Sequence, residues 1–349
     1  MNPAEPENTQ PKPEDAQAEK VQPVAKPRVK ITHLLLTGIL ILSIGINLYL
    51  AYGTQAKLIG AITANSNSPA TSFSLLDPEI SVMDINSYLD AKDKYVASYV
   101  PLKEDVNQII SKANGTFGVY FEDLQFHSWF GINERESFRP ASMLKITTVA
   151  AILAEVHDGD LSLDTEVTLD EDDLNYKFGN LYEQINQTFT IRKLIEISLI
   201  SSDNTAIKKL HEYMDEEHWA EARLSMGLPE TSVAESEAGT ALTPKEFSCV
   251  FRSLYYSGYL CRTFSNWILM MLSETEFNQG IPAGVPKGVV VSHKIGEWAE
   301  EGSMHDCGIV YYPGQPYVLC LMTRGNDFDH LAGAIKDISA LVYEEMGKK

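Results

Sequence analysis

The sequence predicts an α+β domain, an antiparallel sheet with flanking helices plus a helical lobe, preceded by one transmembrane helix. Three observations carry that expectation. β-type runs open and close the distal part of the chain, helical patterns fill its middle, and a long uncharged apolar run stands ahead of both. Strands at both ends of one region can share a sheet, while the helices between them need a second layer.

The apolar run is "ITHLLLTGILILSIGINLYLAYG", residues 31–53, without one Asp, Glu, Lys or Arg. It is long enough to cross a bilayer as a helix. Residues 1–30 are rich in Pro, Glu, Gln and Ala and lack aromatics, so they read as a disordered tail. Lys26, Arg28 and Lys30 precede the run and only Lys57 follows closely. By the positive-inside rule the tail is cytoplasmic and the rest is outside: a single-pass protein of a bacterial cell membrane. A cleaved signal peptide is the weaker alternative, because the run starts far from Met1 and no small-residue cleavage pattern follows.

The net charge is -20, and residues 1–33 contribute nothing to it, with five basic and five acidic residues. The exported part therefore holds all the excess negative charge, which argues against a nucleic-acid partner.

Residues 54–100, with "ANSNSPATSFS", read as a linker or stalk, and a compact domain is expected at 101–346. It opens with a helix, "LKEDVNQIISKA", whose apolar residues recur at helical spacing. Two strands follow, "TFGVYFED" and "QFHSWFGI". In "MLKITTVAAILAEVHDG" the closing Gly suits a C-terminal cap. "TIRKLIEISLISSDNTAIKKLHEYM" holds two amphipathic runs broken at Ser201–Asn204. "TPKEFSCVFRSLYYSG" starts with a Thr cap and Pro at the first helical position. Three strands, "GVVVSHKIGEW", "HDCGIVYYP" and "QPYVLCLMTRG", and a helix, "HLAGAIKDISALVYEEMG", end the chain. Cys249, Cys261, Cys307 and Cys320 fit no zinc spacing. Cys307 and Cys320 flank "YYPGQPY", which leaves a cross-strand disulfide and buried free thiols both open.

The chemistry rests on three separated stretches. Ser142 and Lys145, in "ASMLKI", stand three residues apart, so a hydroxyl and an amine share one edge of a helix. A serine needs such a base, and the amine acts as one only when its proton is lost. "SSDNT" places Ser202, Asp203 and Asn204 in a break between helices. "HKIGEW" sets Lys294 and Gly296 on a strand. Each residue alone admits a plainer reading: Lys145 at the surface, Ser202 and Asn204 as a helix cap, Lys294 at a solvated strand end.

In that order, S-x-x-K, S-D-N and K-x-G resemble the class A β-lactamases and the penicillin-binding proteins. The likeness extends to "TALTPKEF", "GIPAGVPKG" and the closing strand pair with its helix, over roughly residues 101–346. The resemblance implies that Ser142 is the acylated nucleophile and Lys145 its general base. Ser202 would pass a proton to the leaving nitrogen, and Asn204 would bind the substrate's side-chain amide. Lys294 would supply positive charge near Ser202 and the substrate carboxylate. Backbone N–H groups of Ser142 and Glu297 would form the oxyanion hole beside Gly296. No metal or organic cofactor is implied.

Two departures qualify the likeness. The family's K-T-G or K-S-G hydroxyl is absent, because Ile295 occupies that position. The deacylating Glu of an E-x-x-L-N loop is absent too, although Glu230, Glu235 or Glu237 in "LPETSVAESEAG" could substitute. The expectation is therefore an acyl-serine hydrolase of cell-wall metabolism that takes a β-lactam or a D-Ala-D-Ala-like stem-peptide amide and deacylates slowly. A genuine β-lactamase and a catalytically silent peptidoglycan-binding module are the alternatives.

Overall fold

The computed structural model describes residues 75–76, 85–234 and 240–348. The tail at 1–30 and the apolar run at 31–53 lie outside the described residues, as do Glu235 and Glu237. Among the described residues, no helix is long and apolar enough to cross a membrane.

Helix α1, Ile85–Lys112, begins inside the stretch expected as a stalk and continues through Pro101. A proline inside a helix removes one hydrogen bond and crowds the preceding turn. Packing outweighs that cost here, because Tyr99, Leu102 and Val106 recur at helical spacing and are all buried in one core cluster. Strands β1, Thr116–Asp123, and β2, Trp129–Ile132, pair antiparallel. A 3-10 turn at Ala141–Leu144 leads into helix α2, Lys145–Asp158, which ends at Gly159 in the left-handed conformation (φ 88°). Most of α2 is fully buried, from Ile146 to Leu153, as expected of a helix apolar on every side.

A small hairpin follows, β3 at Glu166–Thr168 and β4 at Thr188–Thr190. Helix α3, Ile191–Ile200, breaks where the sequence indicates, and α4, Asn204–His211, resumes with Asp203 as its cap. Helices α5, Glu216–Ser225, and α6, Thr231–Ala234, come next. Helix α7, Pro244–Tyr256, has the expected Thr243 cap, completed by Glu246 into a reciprocal capping box. Helix α8, Arg262–Ser273, carries no start signal: Cys261 sits at its N-cap and makes no side-chain capping bond. Strands β5, Val291–Trp298, β6, Ser303–Val310, and β7, Tyr317–Arg324, precede the last helix, α9, Phe328–Met346.

The main sheet has the order β2-β1-β7-β6-β5, all antiparallel, so the first strand does lie beside the last. Strand side chains alternate between faces. On β7, Tyr317, Leu319 and Leu321 join the cluster with α1 and α9, while Val318, Cys320 and Met322 join the one with α2, α7 and α8. The sheet is buried on both sides, and β5 is its edge nearest the helical lobe's polar break.

Cys307 and Cys320 are opposite each other in the β6–β7 register and form a disulfide, while Cys249 and Cys261 are free thiols. Replacing both bridged cysteines with Ala is expected to lower unfolding stability by about 2–4 kcal/mol, read from the urea midpoint.

Candidate active site

Ser142 lies in the 3-10 turn ahead of α2, and Lys145 is the first residue of the helix itself. In a 3-10 turn, residues three apart eclipse one another, so the pair still shares one edge. Ala141, immediately before the serine, has φ 50° without being glycine. Such a conformation persists only where the surroundings enforce it. Three contacts do so. Phe138 exchanges two backbone hydrogen bonds with Leu242, of 2.9 and 2.8 Å, fixing the approach to the turn against the start of α7. The Arg139 carbonyl accepts a 2.9 Å hydrogen bond from His305 Nε2 on β6. Gly296 on β5 presses against the Pro140 carbonyl.

His305 is held in one tautomer. Its Nδ1 accepts from the Thr323 backbone N–H at 2.9 Å, so Nε2 carries the proton that goes to Arg139. Burial lowers its pKa to about 4, so the ring stays neutral. Sequence reasoning did not find this residue, since a lone His in a β-type run carries no motif.

Ser202 supplies the second wall. It is fully buried and also has positive φ, 54°. Asp203 makes this kink tolerable: its carboxylate accepts from the N–H groups of Ala206 at 2.9 Å and Leu181 at 2.8 Å. Asp203 therefore caps α4 and anchors the 181 loop. The Asn204 N–H donates to the Phe178 carbonyl at 3.0 Å. Lys209, one helical turn farther on, is buried and ion-paired with Asp173 at 3.2 Å and Glu212 at 2.8 Å.

The third wall is β5. By alternation Lys294 and Gly296 share a face, while Ile295 and Glu297 take the other. Lys294 Nζ donates to Ser202 Oγ at 2.7 Å. Lys145 Nζ donates to Asn204 Oδ1 at 2.7 Å and to the Ser202 carbonyl, and lies 3.4 Å from Ser202 Oγ. The structure thus brings the three motifs together, with two amines meeting at one hydroxyl. Burial, then repulsion from Lys145, hold the Lys294 amine well below the usual lysine range, against the opposing pull of Asp306 and Glu297. Asp306 is itself fixed by His293 Nδ1 at 2.7 Å and the Ile281 N–H at 2.8 Å.

Asn204 is placed differently from the simplest expectation. Its amide oxygen is engaged by Lys145, and its Nδ2 reaches Asn175 Oδ1 at 3.4 Å. Ile295 pairs with Asp306 in the strand register and is buried, so it presents no polar group. The Glu297 side chain is exposed, one residue beyond the Gly296 contact, and Glu230 is also exposed.

The Gly296 contact is testable. A Cβ at this position would lie 2.4 Å from the Pro140 carbonyl oxygen and 3.0 Å from Met143 Cγ. Gly296→Ala is expected to destabilise the fold by about 1–3 kcal/mol, measured by urea unfolding.

Residues 101–346 match the beta-lactamase enzyme family. The fold is that of PBP-A, with 24% identity and a TM-score of 0.65 over 71% of this chain and 97% of that one. A β-lactamase from Sphaerobacter thermophilus gives 22% identity and a TM-score of 0.65 over 70% and 97%. A point variant of PBP-A, in an acyl-enzyme complex with penicillin G, gives 24% and 0.65 over 72% and 97%. The match covers most of the chain and coincides with the domain that carries Ser142, Lys145, Ser202 and Lys294. The chain belongs to the beta-lactamase enzyme family and is a serine hydrolase.

Proposed function

We propose that the chain is a membrane-anchored, extracytoplasmic acyl-serine enzyme of cell-wall metabolism, acting on a β-lactam or a D-Ala-D-Ala-like amide and deacylating slowly. The observation that carries this reading is the convergence on Ser202 of Lys294 and of Lys145, which stands three residues after Ser142. The penicillin acyl-enzyme of the PBP-A variant supports β-lactams as acylating substrates. Anchoring and orientation rest on the uncharged run at 31–53 and the basic residues before it.

In this mechanism Ser142 Oγ attacks the amide carbonyl and gives its proton to the unprotonated Lys145 amine. An Oγ–C bond forms, and the C–N bond then breaks as Ser202 hands a proton to the departing nitrogen. Backbone N–H groups of Ser142 and Glu297 receive the oxyanion. Lys294, hydrogen-bonded to Ser202 Oγ, orients that hydroxyl, and the proton taken up by Lys145 returns to Ser202 across the 3.4 Å between them. Asn204, held by Lys145, positions the amine as well as one side of the cleft.

Slow release follows from what the chain lacks in sequence. The connection from Asn204 to Pro244 contains no E-x-x-L-N, the context in which the family's deacylating Glu stands. Of the three glutamates in "LPETSVAESEAG", Glu230 is exposed. A carboxylate in open solvent is a weak choice for fixing one water against an ester.

Incubating the full-length protein with labelled penicillin tests the reading by intact mass. A single adduct on Ser142 that outlasts the free drug is expected, with none in Ser142→Ala. Absence of any adduct on the wild type would overturn it. Rapid nitrocefin turnover, lost on replacing Glu230, Glu235 or Glu237, would instead make the protein a working β-lactamase.

The acylation rate should fall about tenfold per pH unit on its acid side, because the amine cluster must shed a proton before Ser142 can. Removing one amine relieves the repulsion on the other. In Lys294→Ala the acid limb should therefore move to higher pH, measured by stopped-flow acylation across a pH series.

A further inference from the structure

On the acyl-serine reading above, Lys145 serves as base for Ser142 only if the proton that the two amines share stays on Lys294. The contacts on the site face of the sheet do not make that choice. Ser202 Oγ lies within reach of both amines, and the remaining partners of Lys145 are neutral oxygens of Asn204 and Ser202. His305, also on β6, is neutral, and the Glu297 side chain is exposed, where water screens it.

A selective charge stands on the other face. Asp306 of β6 is opposite Ile295, the residue after Lys294, so its carboxylate projects away from the cleft with Ile295. It is fully buried, one residue along and one strand across from Lys294. His293 Nδ1 donates to its Oδ1 at 2.7 Å and the Ile281 N–H to its Oδ2 at 2.8 Å. Among the described residues, no lysine or arginine forms an ion pair with it.

The seat of this carboxylate is built from three segments. A Cβ on Gly280 would collide with Oδ2, and Gly308, opposite His293 in the register, leaves the space that the imidazole covers. Ser339 of α9 donates to the Ile281 carbonyl at 2.8 Å and so fixes the turn that supplies the N–H. A carboxylate only accepts, so His293 Nδ1 carries a proton. His293 Nε2 is buried without a partner, and a second proton there would find no acceptor. The imidazole thus aims Asp306 without cancelling its charge. Burial, then repulsion from Lys145, lower the pKa of the Lys294 amine, and Asp306 leads Glu297 in opposing them. Lys145, on α2 and across Ser202 from Lys294, gains less from the same charge because the attraction falls with distance.

We propose that Asp306, aimed by His293, is a positioning residue for acylation: from behind the sheet it keeps the shared proton on Lys294 and leaves Lys145 as the free base. No proton passes through Asp306, whose two oxygens stay engaged by His293 and Ile281. Its effect is on where the cluster's proton resides, and so on the fraction of molecules in which Ser142 has a base.

The test compares the full-length wild type with Asp306→Asn, which keeps the size of the side chain and removes its charge. Penicillin acylation followed across a pH series should change in two ways at once. The plateau rate should fall at least about tenfold as the proton moves towards Lys145. The acid limb should move to lower pH, because the amine cluster as a whole then holds its protons less well; this is the reverse of the shift expected for Lys294→Ala. A role confined to folding would lower the rate and leave the limb in place. His293→Phe, which removes the donor behind the carboxylate, should move the limb in the same direction, and His293→Gln, which keeps a donor, less far. These two variants keep the test decisive if Asp306→Asn does not fold. NMR titration of ¹³C-labelled lysine Cε reads Lys294 directly, its signal identified by its loss in Lys294→Arg. The Lys294 midpoint should fall in Asp306→Asn and in His293→Phe. A midpoint that stays or rises, or an acid limb that does not move, would overturn the proposal. A wild type that forms no penicillin adduct would instead sink the Ser142 reading, while the Lys294 midpoint would still decide the role of Asp306.

Discussion

Two amines held against one hydroxyl set the terms for the rest of this structure. Lys145 and Lys294 lie 3.4 and 2.7 Å from Ser202 Oγ, so their nitrogens are no more than about 6 Å apart. Two full charges at that separation repel by about 3 kcal/mol even at an effective dielectric of about 20. Both side chains are buried, so water does little to relieve it. The cluster therefore favours a state short of one proton, and an unprotonated amine beside a serine is what acyl chemistry requires. The repulsion would be relaxed by a small outward movement of either lysine. Catalytic use of the pair depends on a frame stiff enough to forbid that movement.

The frame is built from polar groups behind the site. His305 grips the carbonyl before Pro140, Asp203 ties the kink at Ser202 to the start of α4 and to the 181 loop, and Asp306 is held from two sides behind Lys294. Each is buried, and each has at least one partner from a different segment. Buried polar groups of this kind are costly when left unpaired and rigid when satisfied. Two of the six non-glycine residues with positive φ among the described residues, Ala141 and Ser202, sit beside Ser142 and at the converging hydroxyl.

Ile295 bears on recognition. A hydroxyl one residue from Lys294 would give a substrate carboxylate a hydrogen bond typically worth about 1.5–3 kcal/mol. The buried isoleucine supplies none, so under the proposed function that end of a substrate falls to backbone groups of the edge strand and charges at the rim. Arg139, stacked on Trp298 at 4.7 Å and paired with Glu301 at 3.1 Å, is one such charge beside the turn.

The sequence by itself determined the local features. Helix caps at Thr243 and Gly159, the break at Ser201–Asn204 and the β-type runs of β1 and β5–β7 are decided by residues within a few positions of each other, so they could be read directly. The three motifs were legible because their order and spacing are unusual together. What only the tertiary structure decided depends on segments remote in sequence. The continuation of α1 through Pro101 is fixed by burial of Tyr99 and Leu102 against distant strands, and α8 begins at a cysteine that gives no capping signal. Pairing of Cys307 with Cys320 needed the strand register. His305, Asp306 and the Glu155–His218 pair have no local pattern, because a buried hydrogen bond is specified by whichever chain segment arrives at the other end of it.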